Sequence, residues 1–170
     1  MKKAYNIVIN LLLCVAGVLA VLLVGVRLVG INPYVVLSSS MEPAYPVGSL
    51  VYVVEAEAED FKVGEPITFD MDGNTVTHRI IEVNNDPSSG LTFRTQGDAN
   101  NLADGKPVTP QQILGKPAFC IPVLGYVSYF LLNPPGLYAA IGICVILILL
   151  ALAADVIFSK TDDKEPESSE

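Results

Sequence analysis

Tryptophan is absent from this 170-residue chain, histidine occurs once, cysteine three times, and only 16% of the residues are charged. Each scarcity closes off a class of protein. Cys14 and Cys144 lie inside long apolar runs and Cys120 stands apart from both, so neither a disulfide framework nor a zinc site follows. Cys120, between Phe119 and Ile121, reads as a small buried apolar residue. Ten Lys and Arg stand against eighteen Asp and Glu, a net charge of -8, and the basic residues form no stripe. That excludes nucleic acid as a partner, because phosphate binding needs clustered Lys or Arg. Without a metal-ligand cluster or a phosphate-binding glycine loop, no metal and no cofactor are expected. The length accommodates one compact domain of about 100 residues with anchoring segments, and no internal repeat is visible.

What is plentiful is apolar surface, at 51% of residues, and it is concentrated near the two ends. From Ile7 to Val26 the only clearly polar residue is Asn10. At 1.5 Å per residue that run reaches about 30 Å, the thickness of a bilayer core, whereas the apolar region of a cleavable leader is usually about 7 to 15 residues. It reads as a retained anchor. A second run, Leu137 to Ala154, is free of charge until Asp155 and follows Asn133-Pro134-Pro135-Gly136, which stops the preceding structure. Lys2 and Lys3 assign the N-terminus to the cytoplasm by the positive-inside rule, and two spans return the C-terminus to the same side. The expected organisation is therefore a cytoplasmic N-terminus (1–6), a transmembrane helix (7–29), an extracytoplasmic domain (30–133), a second transmembrane helix (134–158) and a disordered acidic cytoplasmic tail (159–170).

Between the spans the pattern changes to short alternating runs separated by Gly, Pro, Asn and Asp. Strands are expected at Leu50 to Val54, Ile67 to Asp70, Thr75 to Val83, Leu91 to Gln96 and about Ile113 to Phe119. Turns are expected at Pro46-Val47-Gly48, Met71-Asp72-Gly73-Asn74 and Asn84 to Gly90. Alternation in Thr75 to Val83 sets Val76, His78, Ile80 and Glu82 on one face. The apolar, aromatic segment Ile121 to Leu132 suits either a membrane interface, where Tyr126 and Tyr129 would sit well, or the interior of the domain. The fold class is mainly β, a coiled antiparallel domain flanked by two transmembrane α-helices.

Three stretches in the middle domain bear chemistry: Ser38-Ser39-Ser40-Met41-Glu42-Pro43, the lone His78, and Gly97-Asp98-Ala99-Asn100-Asn101-Leu102-Ala103-Asp104. Taken singly they suit a polar linker, a structural histidine and a tight turn. Together they supply a hydroxyl, a base and an acid. A serine hydroxyl is a weak nucleophile until a neighbouring base takes its proton, and a third group commonly orients that base. An unperturbed histidine, with a pKa of about 6.5, is suited to that task at neutral pH. A lysine would need its pKa of about 10.4 lowered by several units through burial. The outer candidates Lys62, Lys106 and Lys116 adjoin or nearly adjoin Gly, Pro or Asp and occupy no strongly apolar strand.

The order of these motifs, Ser-x-Ser-Met-x-Pro after a span, then Thr77-His78-Arg79-Ile80, then Gly97-Asp98-Ala99-Asn100 with Asp104 beyond, resembles the type I signal peptidases. More narrowly it resembles their archaeal and endoplasmic-reticulum branch, in which histidine replaces a lysine base. The resemblance covers about Leu37 to Phe119. It implies a membrane-bound serine endopeptidase that removes signal peptides from exported preproteins after small residues, with Ser40 as nucleophile and His78 as general base. Asp104 would orient the histidine, with Asp98 as the alternative or as a second residue holding the site's geometry. Ser38 and the Ser40 backbone amide would form the oxyanion hole. The implied partners are signal peptides, the lipid bilayer and the secretion translocon. The implied location is the cell membrane, multi-pass, or the endoplasmic reticulum membrane in a eukaryote, with Ser40 about 14 residues past Val26 and so near the interface.

Two other readings compete: a catalytically silent membrane protein whose β domain binds exported chains, and a peptidase dedicated to a few surface proteins. Base identity has a kinetic signature. A histidine base makes kcat/KM fall as pH drops through roughly 6 to 7, whereas an acid limb near about 8 to 9 in a pH-rate profile would assign the role to lysine.

Overall fold

In the computed structural model, residues 2–87 and 90–162 are described. Met1, Ser88 and Ser89 of the last expected turn, and residues 163–170 of the expected tail lie outside them. The chain divides into two compact units, one containing helices α1 (Lys2–Leu23) and α3 (Gly136–Asp162), the other spanning Val24–Tyr129.

Two helical stretches, Lys3–Leu23 and Gly136–Ala153, are long and apolar enough to cross a membrane. Only 11% and 6% of their most apolar windows are buried, so their side chains face outward instead of filling a core. Within this unit the Tyr5 hydroxyl donates to the Leu150 carbonyl at 3.0 Å. α1 ends six residues earlier than expected. Gly25 begins a 3-10 turn, Gly25–Val29, that is closed by Gly30 in the left-handed region at φ 78°, a conformation a side chain would disfavour. At the other end α3 runs past the expected limit at 158.

Six antiparallel strands build the second unit: β1 (Ile31–Val35), β2 (Leu50–Val54), β3 (Pro66–Met71), β4 (Asn74–Asp86), β5 (Gly90–Gln96) and β6 (Ile113–Ile121). Their order across the sheet is β1-β2-β6-β3-β4-β5. β6 thus joins two parts of the sheet, and its pairings shift register on both sides, between Tyr52 and Val53 of β2 and between Thr68 and Phe69 of β3. Such irregularities bend strands and coil a sheet. At Gly115 of β6, φ is 140° and a Cβ would collide with the Val54 carbonyl, so only glycine fits this crossing. Phe61, Ile67, Phe69, Ile80, Phe93 and Val108 form the buried core, with Phe61 and Phe93 edge to face at 6.1 Å.

The five expected strands are present, β2 with the expected bounds and the other four extended. β1 is an addition: its Asn32-Pro33 reads as a strand breaker, but β1 is an edge strand, where a missing donor is tolerated. Two expectations are corrected. Glu82 does not share the face of His78 and Ile80, because a register shift between Ile80 and Glu82 sends Val83 inward and leaves Glu82 exposed beside Arg94. Cys120 is half-buried, not buried, and lies opposite Val51 on β2. The Ile121 to Leu132 segment contains a third helix, α2 (Leu124–Leu132), in which Leu124, Gly125 and Ser128 are buried while Tyr126 and Tyr129 are exposed. Gly125 lies under the Gly48 and Ser49 carbonyls, closer than any side chain would permit.

Phe93 is fully buried at the junction of Phe61, Ile80 and Val108. Phe93→Ala is expected to lower stability by about 3–5 kcal/mol, through lost burial plus the remaining cavity, measured by denaturant unfolding in detergent.

Candidate active site

The site starts with β4. Alternation turns Val76, His78 and Ile80 toward the interior, where His78 pairs opposite Ile67 and meets Phe69 edge to face at 6.4 Å. His78 is only 8% exposed, so packing fixes its ring plane and leaves the two nitrogens as its polar contacts. Each has a partner. Nε2 lies 3.1 Å from Ser40 Oγ, and Nδ1 lies 2.6 Å from Asp104 Oδ2.

Ser40 belongs to the connection between β1 and β2. There Glu42 N–H donates to the Ser39 carbonyl at 3.0 Å and Tyr45 N–H to the Met41 carbonyl at 2.9 Å. Met41, 2% exposed, anchors this turn below the serine. A second loop, after β5, braces it: Ala99 N–H donates to the Ser40 carbonyl at 2.8 Å and Asp98 N–H points at Met41 Sδ at 3.4 Å. Gly97 makes this approach feasible, because a Cβ there would lie 2.6 Å from the Ser40 carbonyl oxygen. Among the described residues the Ser40 N–H has no hydrogen-bond partner, while the Ser38 and Ser40 hydroxyls lie 3.1 Å apart.

The two acids separate. Asp104 reaches His78; Asp98 does not. The Asp98 carboxylate is held by both Nε and Nη2 of Arg79 at 2.7 and 2.6 Å, and Arg79 Nη1 also donates to the Gly64 carbonyl at 2.8 Å. These hydrogen bonds from the guanidinium hold the Asp98 pKa below the ordinary carboxylate value and raise that of Arg79. Since His78 and Arg79 are consecutive in β4, they face opposite ways, and each engages a different acid of the same loop.

The lysines are engaged elsewhere. Lys116 Nζ donates to Glu65 Oε1 at 2.7 Å, a bond that lowers the Glu65 pKa, and Lys106 Nζ donates to Asp72 Oδ2 at 3.2 Å. Lys62 is exposed, its backbone N–H on Glu65. A cleft of about 380 Å³ opens over Ser40 and His78, walled by Val36, Leu37, Met41, Tyr45, Val76 and Asn100. Burial raises the pKa of the Tyr45 phenol at its edge. Two side chains to which the sequence reading gave no role take part: Arg79, which stands within a quoted motif, and Thr95, whose hydroxyl donates to Asp104 Oδ2 at 2.6 Å. A signal for Thr95 exists in the pattern, since alternation in β5 turns it inward with Phe93, where an apolar residue is the rule.

A hydroxyl on one imidazole nitrogen and a carboxylate on the other, set on a coiled antiparallel sheet, is the arrangement of serine hydrolases that work through a Ser-His-Asp relay of contacts. It can increase the nucleophilicity of the hydroxyl and return a proton to a leaving group. No protein-family model matches the chain. Individual proteins do. The chain is 36% identical over 122 residues to signal peptidase I W of Bacillus subtilis (strain 168), covering 66% of this chain and 64% of that one. It is 33% identical over 112 residues to the signal peptidase complex catalytic subunit sec11 of Dictyostelium discoideum, covering 61% and 62%. To the human signal peptidase complex catalytic subunit SEC11C it is 29% identical over 126 residues, covering 66% of each. Over these stretches the chain is similar to type I signal peptidases and to catalytic subunits of the signal peptidase complex. The match spans just under two thirds of the length of the first of these relatives.

The Arg79–Asp98 pair has a pH signature. With its folded pKa lowered, Asp98 contributes stability above its ordinary value near 3.8, and that contribution is lost as pH falls through the folded value. Asp98→Asn is expected to cost about 1 kcal/mol at neutral pH, the pair being partly exposed and screened. The gap between wild-type and variant thermal midpoints should hold above pH of about 4 and shrink below it.

Proposed function

We propose that this chain is a membrane-anchored signal peptidase, a serine endopeptidase that cleaves signal peptides from exported preproteins after small residues. The observation that carries the reading is the His78 imidazole, held between Ser40 Oγ at 3.1 Å and Asp104 Oδ2 at 2.6 Å. Similarity to signal peptidase I W and to signal peptidase complex catalytic subunits supports the choice of substrate.

In this mechanism Ser40 Oγ attacks the scissile carbonyl as His78 Nε2 takes the hydroxyl proton. Asp104 Oδ2 accepts the hydrogen bond from His78 Nδ1–H throughout, without taking the proton, fixing the tautomer and stabilising the imidazolium. The carbonyl oxygen becomes an oxyanion, received by the Ser40 N–H and the Ser38 hydroxyl; a Ser40 N–H without a partner among the described residues and the 3.1 Å spacing of the hydroxyls support this role. Collapse breaks the C–N bond, His78 gives its proton to the departing amine of the mature chain, and the signal peptide remains as an acyl ester on Ser40 Oγ. A water then attacks the ester, again losing its proton to His78, and the signal peptide leaves as a carboxylic acid while Ser40 regains its proton. Asp98 supports the site at a distance, through Arg79 and the loop that bonds the Ser40 carbonyl.

The two outward-facing apolar helices support a membrane location, and we extend this to a multi-pass arrangement with residues 30–133 outside the cytoplasm and both termini within it. Enzyme and substrate confined to one bilayer meet at a raised effective concentration. The bilayer and the secretion translocon, from which preproteins emerge, are the partners that this arrangement needs. An extended substrate can lie in the cleft beside β1, taking backbone hydrogen bonds with small side chains turned inward.

Ser40→Ala and His78→Ala should each lower kcat on a labelled preprotein in detergent or vesicles by at least about 10³-fold, with KM little changed. Near wild-type cleavage by Ser40→Ala would eliminate this reading.

A further inference from the structure

We infer that Thr95 is a positioning residue of the hydrolytic site, acting through Asp104; the inference rests on the function proposed above. The placement begins with the sheet register. Ile80 of β4 lies opposite Thr95 of β5, and residues directly opposite in an antiparallel pair share a face. Ile80 and His78, two apart in β4, also share a face. Thr95 and His78 are therefore diagonal neighbours on the inner side of the sheet, and the carboxylate of Asp104 enters between them.

Both groups hold the same oxygen. Asp104 Oδ2 receives the Thr95 hydroxyl at 2.6 Å and lies 2.6 Å from His78 Nδ1. A carboxylate with a single hydrogen bond can pivot about its Cβ–Cγ bond; with two donors converging on one oxygen it cannot turn without breaking one of them. Thr95 also grips the acid from behind, since Asp104 N–H donates to the Thr95 carbonyl at 2.8 Å. One residue therefore fixes both the backbone and the side chain of the acid that orients the base. Its own rotamer is constrained by the branched Cβ and by complete burial, at 0% exposure. Valine would fill the same volume, so the hydroxyl is the only thing threonine adds at this inward position. An inward hydroxyl is costly unless it is bonded, and this one is spent on Asp104.

The test compares Thr95→Val, Thr95→Ser and Ser40→Ala in the full-length protein in detergent, with a labelled preprotein as substrate and thermal midpoints as a check on folding. Thr95→Val should lower kcat about tenfold, the effect of losing one hydrogen bond to a charged acceptor, with KM unchanged within about twofold. Thr95→Ser, which restores the hydroxyl but not the methyl, should return kcat to within about twofold of wild type. Wild-type turnover in Thr95→Val, or a Thr95→Ser enzyme as impaired as Thr95→Val, overturns the inference. If Thr95→Val does not fold, Thr95→Cys replaces it as a near-isosteric, weaker donor, with turnover expected below that of Thr95→Ser; equal turnover overturns the inference. Loss of activity in Ser40→Ala together with an unaffected Thr95→Val removes the role of Thr95 alone, whereas activity in Ser40→Ala removes the peptidase reading itself.

Discussion

His78 has two nitrogens and almost no exposed surface, and most of the β unit can be understood as holding it where both nitrogens meet a partner. A strand can carry an imidazole into a core, but it cannot supply the hydroxyl or the acid, because its own neighbours point the other way. These come from loops 38 residues before and 26 residues after it. The loops must then be fixed relative to β4 to within tenths of an ångström. The bonds that achieve this are mostly backbone: Ala99 to Ser40, Asp104 to Thr95 and Tyr45 to Met41.

The sheet irregularities have a place in this scheme. Register shifts in β2, β3 and β4 bend the strands, and β6 crosses where Gly115 lets it pass under Val54. A flat sheet would bury one face along its whole length; a coiled one brings strand ends and connections toward a common interior. The consecutive pair His78 and Arg79 uses both sides of β4 at that point. One residue reaches Asp104 beside Ser40, and the other clamps Asp98, whose loop bonds the Ser40 carbonyl. Asp98 and Asp104, six residues apart, thus take different tasks because their partners face opposite ways.

The two helices obey a simpler constraint. Their apolar side chains find no interior to fill, and an α-helix satisfies its own backbone hydrogen bonds, so they suit a solvent that offers none. The β unit, with its polar loops and charged edges, does not. A chain with half its residues apolar and few of them charged is accounted for by this division.

Five of the six strands, the two apolar spans and the candidates Ser40 and His78 were legible in the sequence because each depends on local pattern, on residue chemistry or on motif order. Alternation marks a strand wherever one face is buried, and a lone histidine leaves little choice of base. What local pattern could not supply was any property depending on which strand lies beside which. β1 escaped because Pro33 breaks a central strand but not an edge, and edges exist only once the sheet is assembled. Glu82 was assigned the wrong face because one bulged residue reverses alternation without leaving a mark in composition. The choice between Asp104 and Asp98 stayed open for the same reason: two carboxylates in one loop are chemically alike, and only the opposed directions of His78 and Arg79 on β4 set them apart. Thr95 left only its inward place in the β5 alternation as a signal, and its partner was hidden, since a buried threonine in a strand is unremarked until a carboxylate from another part of the chain is folded against it. The amino-acid sequence by itself determined the kinds of groups available and the elements that carry them; their distances and partners were decided by tertiary structure, because hydrogen bonds form between atoms that only folding brings within 3 Å.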